Sequence, residues 1–440
     1  MRPRLSALAA TMLAVGACTD TPTATRTNAH MKPSLNTVPT AQGGPSTSSV
    51  RWNRIAIGLF RTRGNPNVGR TNVYLSIAQY RALLAAQGAR HGESRPSLAG
   101  AAAGASVVVL KQFYPLDAAS IDAALAAQHA ESPLGTEINE DFAEGEAIGR
   151  EVAAAVLAWA ALDNFGVASP GLPPVGPGYW VSSGAPIVTG GFGARPFFLT
   201  SGSELRRSPP PAFGSAEYLA ALAEVKAIGA SRTDDQLAIA RKWAPFAGPV
   251  WDGIADDLLE KYHKSEIESA RILAYASAAE FDAIIGCFDT KFTYWFIRPA
   301  QADPTITLPI GMPNHPSYPS AHSCGTGAWY GVLADAFPSE RAMLADLALE
   351  AGMARIYVGL HYRFDIEAGQ ALGRSGSASR ARASRTGVGS AHLDRNSLIV
   401  CYRGTHHDFQ ANHFLGRCGV AACDRRRLRP VGQPNHGCRR

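Results

Sequence analysis

The 440-residue chain is 46% hydrophobic and 18% charged, the balance of a chain that buries a core rather than of a disordered one. Its net charge of +6 is unevenly spread. Residues 374–440 hold thirteen Arg, no Lys and three Asp, so this tail carries +10 and the remainder −4, which speaks against a folded nucleic-acid binder.

In chain order, Arg2 and Arg4 precede an apolar stretch, Leu5–Val15, and Val15-Gly16-Ala17-Cys18 follows. This is the pattern of an export signal ending in a lipid-attachment cysteine, with ordinary secretory cleavage beside an incidental cysteine as the alternative. The expectation is a lipoprotein signal over residues 1–18, a lipid on Cys18, and a protein on the periplasmic side of a bacterial cell envelope that touches the membrane through its anchor only. Residues 19–50, rich in Thr, Ser, Pro, Asn and Gly, suit a flexible tether. The apolar runs Leu98–Leu110 and Val152–Leu162 are shorter than the roughly 18–20 residues a bilayer requires.

Residues 51–373 carry apolar residues at three- and four-residue spacing, which predicts helices over Val73–Gln87, Ala118–His129, Glu144–Leu162, Ala216–Ile228, Asp234–Ala244 and Trp251–Ile285. Ser120, Ser215 and Thr233 are candidate caps. Ser169–Gly191 and Pro209–Gly214 are dense in Pro and Gly and predict loops, while alternating strand patterns are nearly absent. The expected body is one all-α domain. From Ser375 the periodicity fades, so residues 374–440 are expected to be a basic tail of low order or a translation artefact. Cys287 and Cys324 lie among apolar residues and are expected as buried thiols. Cys401, Cys418, Cys423 and Cys438 all fall in the tail without a CxxC pair.

The chemistry concentrates between Lys291 and Gly373. Lys291 and Arg298, seven residues apart with Pro299 next, would share one face of a helix that stops just after Arg298. Pro319-Ser320-Ala321-His322 opens a helical stretch, where free N–H groups favour an anion and a histidine can move a proton. In Arg355-Ile-Tyr-Val-Gly359-Leu-His361-Tyr-Arg-Phe-Asp365 the carboxylate lies one turn from the ring and can fix its tautomer, and Gly359 permits a bend. Each piece alone also fits an ordinary solvated pair of charges, a capped helix or a surface ion pair.

Together, Lys-x6-Arg-Pro, Pro-Ser-x-His and Arg-x5-His-x3-Asp, in this order, resemble the signature of the vanadium-dependent haloperoxidase and type 2 phosphatidic acid phosphatase superfamily. The length of the body is similar to that of its exported bacterial haloperoxidase-like branch. The resemblance implies an all-α helical bundle of the vanadium haloperoxidase and acid phosphatase type with long Pro/Gly-rich loops. It also implies that Lys291, Arg298 and Arg355 neutralise the oxygens of phosphate or vanadate, with Ser320 and the N–H of Ala321 as further donors. His361 would attack phosphorus or ligate vanadium, His322 would be the general acid/base, and Asp365 would orient His361. Two positions depart from the usual pattern: Ala321 replaces a Gly and Ala354 a Ser. Neither removes a cation or a histidine.

His315 stands where chloroperoxidase-type members have Phe and bromoperoxidase-type members have His, so it is a candidate tuning residue. The expected function is that of a vanadate-dependent haloperoxidase acting on halide and hydrogen peroxide. One alternative is an acid phosphatase that hydrolyses phosphate monoesters through a phosphohistidine, with no cofactor beyond its substrate. Another is a non-catalytic binding lipoprotein. Self-association into a homo-oligomer is compatible with each.

Overall fold

A computed structural model describes residues 46–386, except 66, 91–94, 132–139 and 186. The export signal, Cys18, residues 19–45 of the tether and the tail beyond 386, with its four cysteines, lie outside the described residues.

Helices form where the apolar spacing predicts them, and no strand appears among the described residues, only two isolated bridges, Pro96 with Asp141 and Tyr179 with Phe296. The first group comprises α1 (Ser48–Arg63), α2 (Val68–Gly88), α3 (Leu98–Phe113), α4 (Ala118–Glu131) and α5 (Phe142–Ala160). After a long Pro/Gly-rich loop come α6 (Ala216–Ala230), α7 (Asp234–Lys242), α8 (Ala247–Lys261), α9 (Glu266–Tyr294) and the short α10 (Pro299–Ala302). The last are α11 (Ala321–Ala336), α12 (Arg341–Tyr357) and α13 (Arg363–Thr386). No helix among the described residues is long and apolar enough to cross a membrane.

Ser215 and Thr233 cap α6 and α7 as expected, each accepting a hydrogen bond from the third residue of its helix. Ser120 does not cap: α4 already begins at Ala118, and the Ser120 hydroxyl donates back to the Asp117 carbonyl. The tether ends earlier than expected, because Thr47 caps α1 at Ser48. The run Trp251–Ile285 is two helices, α8 and α9. His263 takes a positive φ of 48°, and Ser265 starts α9 with a reciprocal cap to Glu268. Periodicity alone hides such a break, because both halves bury apolar faces.

α9 is the central helix, packed against α2 on the one hand and against α11 and α13 on the other. The pairs α3/α5 and α11/α13 approach through glycine. A Cβ at Gly104 would fall 2.2 Å from the Glu146 carbonyl oxygen, and one at Gly149 2.1 Å from that of Ala101. At α11/α13, a Cβ on Gly327 would lie 2.5 Å from the Gln370 carbonyl oxygen, and one on Gly373 2.2 Å from that of Cys324. Backbone therefore rests on backbone in both pairs.

The body extends past its expected end at residue 373. α13 continues to Thr386, and Ser377 and Ser379 are buried. Their hydroxyls donate to Arg374 and Ser375 carbonyls, so a Ser-rich helix satisfies its polar groups internally while facing the bundle. Cys287 and Cys324 are free and buried, as expected.

Candidate active site

A cavity of about 240 Å³ lies between α2, α9, α11, α12 and the loops before α11 and α13. Its polar lining includes Arg70, Glu280, His315, His322, Arg355 and His361, with Ala321 beside them. Phe165, Phe246, Phe281, Ile284 and Phe288 form apolar wall.

The cations arise differently from the sequence expectation. α9 ends at Tyr294 because Trp295 turns left-handed (φ 50°, ψ 35°), its N–H closing back on the Lys291 carbonyl. The chain then runs extended beside residues 178–180, so Arg298 is not on the helix that carries Lys291. Pro299 begins α10 instead of stopping a helix, in keeping with proline's preference for the first helical position.

Lys291 and Arg298 are fully buried behind the cavity wall. The Lys291 Nζ donates to the carbonyls of Pro316 and Ser317, each at 2.8 Å, and to that of Pro319. Arg298 donates through Nε to the His315 carbonyl (2.9 Å), through Nη1 to the Leu360 carbonyl (2.9 Å) and His361 Nε2 (3.4 Å), and through Nη2 to His315 Nδ1 (3.0 Å). Burial pushes Lys291 down to about 8 and Arg298 down to about 9, so both stay charged at neutral pH. Of the three expected cations only Arg355, at the end of α12, lines the cavity. Its Nη1 donates to the Trp243 carbonyl at 3.1 Å, and its buried Nε has no hydrogen-bond partner among the described residues.

His361 sits in the turn after Gly359, which takes the positive φ (74°) this bend requires. Its Nδ1 lies 2.9 Å from Asp365 Oδ2. Because Arg298 can only donate, Nε2 must carry the lone pair and Nδ1 the proton given to Asp365. Burial, then the charge of Arg298, hold the ring well below the usual histidine range, so it is neutral. Oδ2 of Asp365 also accepts from the Ser317 hydroxyl (2.5 Å) and the Tyr362 amide (3.2 Å). Burial pushes this carboxyl up, against the pull of Ser317 and Lys291.

At α11, Ser320 is the N-cap. Its Oγ accepts from the Ser323 amide and its own amide donates to the Asp365 carbonyl, so it is buried in the cap and does not line the cavity. The amides of Ala321 and His322 begin the helix without backbone partners among the described residues. His322 Nε2 lies 3.0 Å from the Pro245 carbonyl, so that nitrogen carries the proton of the neutral ring. Burial, with the charge of Arg355, pushes this ring down to about 3. His315 is buried, lines the cavity and sets its ring edge-on to Phe288 at 5.2 Å.

The expected residues thus converge: Ala321, His322, Arg355, His361 and His315 on the cavity, and Lys291, Arg298, Ser320 and Asp365 directly behind it. Sequence reasoning did not single out Ser317, Phe246, Phe288 or Glu280. Ser317 lies inside the Pro-Ser-Tyr-Pro stretch and is indistinguishable there from a loop serine. Glu280 is one charge in the Ala-rich part of α9, and only its burial reveals it.

Residues 271–383 match the family model of the PAP2 superfamily. A lipid A 1-phosphatase of Rhizobium etli is 42% identical over 57 residues, 13% of this chain and 25% of that protein. One of Rhizobium johnstonii is likewise 42% identical over 57 residues, covering 13% and 23%. The chain therefore spans about a quarter of the length of the curated relatives it matches. Among solved structures, a bacterial vanadium-dependent iodoperoxidase is similar with a TM-score of 0.64 and 22% identity over 76% of this chain and 95% of that one. An apo-type bacterial vanadium-dependent chloroperoxidase is similar with a TM-score of 0.58 and 14% identity, covering 76% and 95%. The likeness to these structures is one of fold, the helical bundle of the vanadium haloperoxidase type.

Proposed function

We propose that this chain, which carries a PAP2 superfamily domain over residues 271–383, is an enzyme that oxidises halide with hydrogen peroxide at a vanadate held by His361. The observation that supports this choice is the extent of the likeness: the fold covers 76% of this chain and 95% of the iodoperoxidase chain, whereas the sequence match to the phosphatase is confined to 57 residues. Vanadate, when bound, supplies a Lewis-acidic centre that activates peroxide.

The residues suit such a group. His361 is neutral and presents an Nε2 lone pair, with its tautomer held by Asp365. The Arg355 guanidinium on the cavity wall and the amides of Ala321 and His322, without backbone partners among the described residues, are donors for its oxygens. Lys291 and Arg298 add buried positive charge behind them, and Arg298 meets His361 directly. His322 offers Nδ1 to take or return a proton. Export and lipid attachment through Cys18 belong to the same proposal, checked by mass analysis of the N-terminal peptide from the envelope fraction.

The sequence identity to lipid A 1-phosphatases favours a second reading. Here His361 Nε2 attacks the phosphorus of a phosphate monoester, the leaving alkoxide takes a proton, and water cleaves the phosphohistidine to free phosphate. His322 carries the protons in both steps. The full chain, loaded with orthovanadate, should brominate or iodinate an indicator in a peroxide-dependent way, and His361→Ala should abolish this. Vanadate-inhibited release of phosphate without halogenation would make it a phosphatase. Orthovanadate binding with neither activity would leave a binding lipoprotein.

A further inference from the structure

Arg70 stands on the cavity wall, yet the proposed reaction gives it no task. It lies in the first turn of α2, and its side chain is 21% exposed. Its Nε donates to Asp163 Oδ2 and its Nη2 to the Ala160 carbonyl, both at 2.8 Å. Tyr74, Phe113 and Phe165 surround the guanidinium, with ring centroids 5.5, 5.7 and 5.4 Å from its central carbon. Nη1 has no hydrogen-bond partner among the described residues and keeps accessible surface. The rest of Asp163 is engaged: Oδ2 also accepts from the Tyr74 hydroxyl and Oδ1 from the Phe165 amide, each at 2.8 Å. A guanidinium fixed on two edges with a third left open is a preorganised receptor for an oxyanion.

Arg70 and His361 stand apart within the cavity. Arg70 stacks on Phe165, Phe165 stacks on Phe281 at 6.1 Å, and His315 meets Phe288 at 5.2 Å. Phe281 and Phe288 are seven residues apart on α9, about 10 Å along its axis. Phe246 likewise packs on His322 at 6.2 Å and lies 3.8 Å from a Cβ placed at Gly69, next to Arg70.

We propose that Arg70 determines specificity by binding, through Nη1, a carboxylate that the organic substrate carries about 10 Å from the group reacting at His361. The two N–H groups of Nη1 suit one carboxylate. An ammonium in the same place would meet Arg70 and Arg355. The halide is not the occupant, because it must meet the peroxide at the His361 end. Glu280 is the one carboxyl on the cavity wall among the described residues. Burial pushes it up to about 7, so it does not repel a carboxylate in mildly acidic solution. The inference rests on the proposed reading only in taking His361 as the reacting end.

The test is calorimetry of 8-phosphonooctanoate against octylphosphonate, in which methyl replaces the carboxylate, with the full chain in mildly acidic buffer. The wild type should prefer 8-phosphonooctanoate by about tenfold or more, and Arg70→Gln should lose the preference. The short 3-phosphonopropanoate cannot reach both ends and should have no such advantage over propylphosphonate. Equal affinities for the long pair in the wild type, an undiminished preference in Arg70→Gln, or the same preference in the short pair overturn the proposal. Should Arg70→Gln not fold, a crystal structure of the wild type with 8-phosphonooctanoate decides. The carboxylate must lie within hydrogen-bonding distance of Arg70 Nη1, and one placed elsewhere overturns the proposal. Orthovanadate is titrated separately into both proteins, so failure of the anion reading at His361 is distinguishable from failure at Arg70.

Discussion

One oxygen of Asp365 accepts from His361, from Ser317 and from the Tyr362 amide, while its main-chain carbonyl holds the Ser320 amide at the start of α11. Asp365→Asn should therefore free the imidazole tautomer, and orthovanadate affinity measured by calorimetry should fall about 10–100-fold. Glu280 makes a prediction with the opposite electrostatic sense. Its folded value of about 7 lies above the ordinary 4.5, so the folded protein holds a proton that the unfolded chain releases. That contribution is complete below about pH 4.5 and disappears as pH rises through about 7, a change of roughly 3 kcal/mol. Glu280→Gln cannot titrate, so its stability relative to the wild type should rise over this window, as followed by urea unfolding. The His361–Asp365 contact was legible from a four-residue spacing. Lys291 and Arg298 were legible as a pair but not in their placement, because the left-handed Trp295 and the bridge to Tyr179 are tertiary features that a local period does not encode.

Among the elements, α3 and α5 owe their closeness to Gly100 and Gly104 on one and Gly145 and Gly149 on the other. The Gly149→Val variant would drive a branched side chain into the Ala101 carbonyl, with an expected loss of about 3 kcal/mol or more, measurable as a lower denaturant midpoint. The helices themselves were readable from apolar spacing and caps. The break between α8 and α9 was not, since Trp251, Leu258 and Leu273 are all fully buried and continue one apolar record across it. α13 was cut short in the sequence reading because its Ser and Arg carry no apolar period, although Ser377 is packed where a Gly331 Cβ would otherwise collide with it.

For the whole molecule, the extent of α13 sets where the chain can be shortened. A chain ending after residue 373 should melt several degrees lower than the full chain by calorimetry, since it loses the buried Ser377 and Ser379 and the last turns of α13 that pack on α9. Orthovanadate affinity should fall with it, because α13 carries Asp365 in its first turn and its later turns pack on α9 and α11.

The glycine seam between α11 and α13 has one more effect. Where peptide planes meet at Gly327, Gly369 and Gly373, the gap separating the α11 that carries His322 from the α13 that carries Asp365 is gauged by main-chain atoms. Rotamer changes cannot widen it, and thermal breathing of side chains leaves it untouched. The seam behind the cavity is thus a fixed ruler, while the phenylalanines of the cavity wall keep their rotamer freedom.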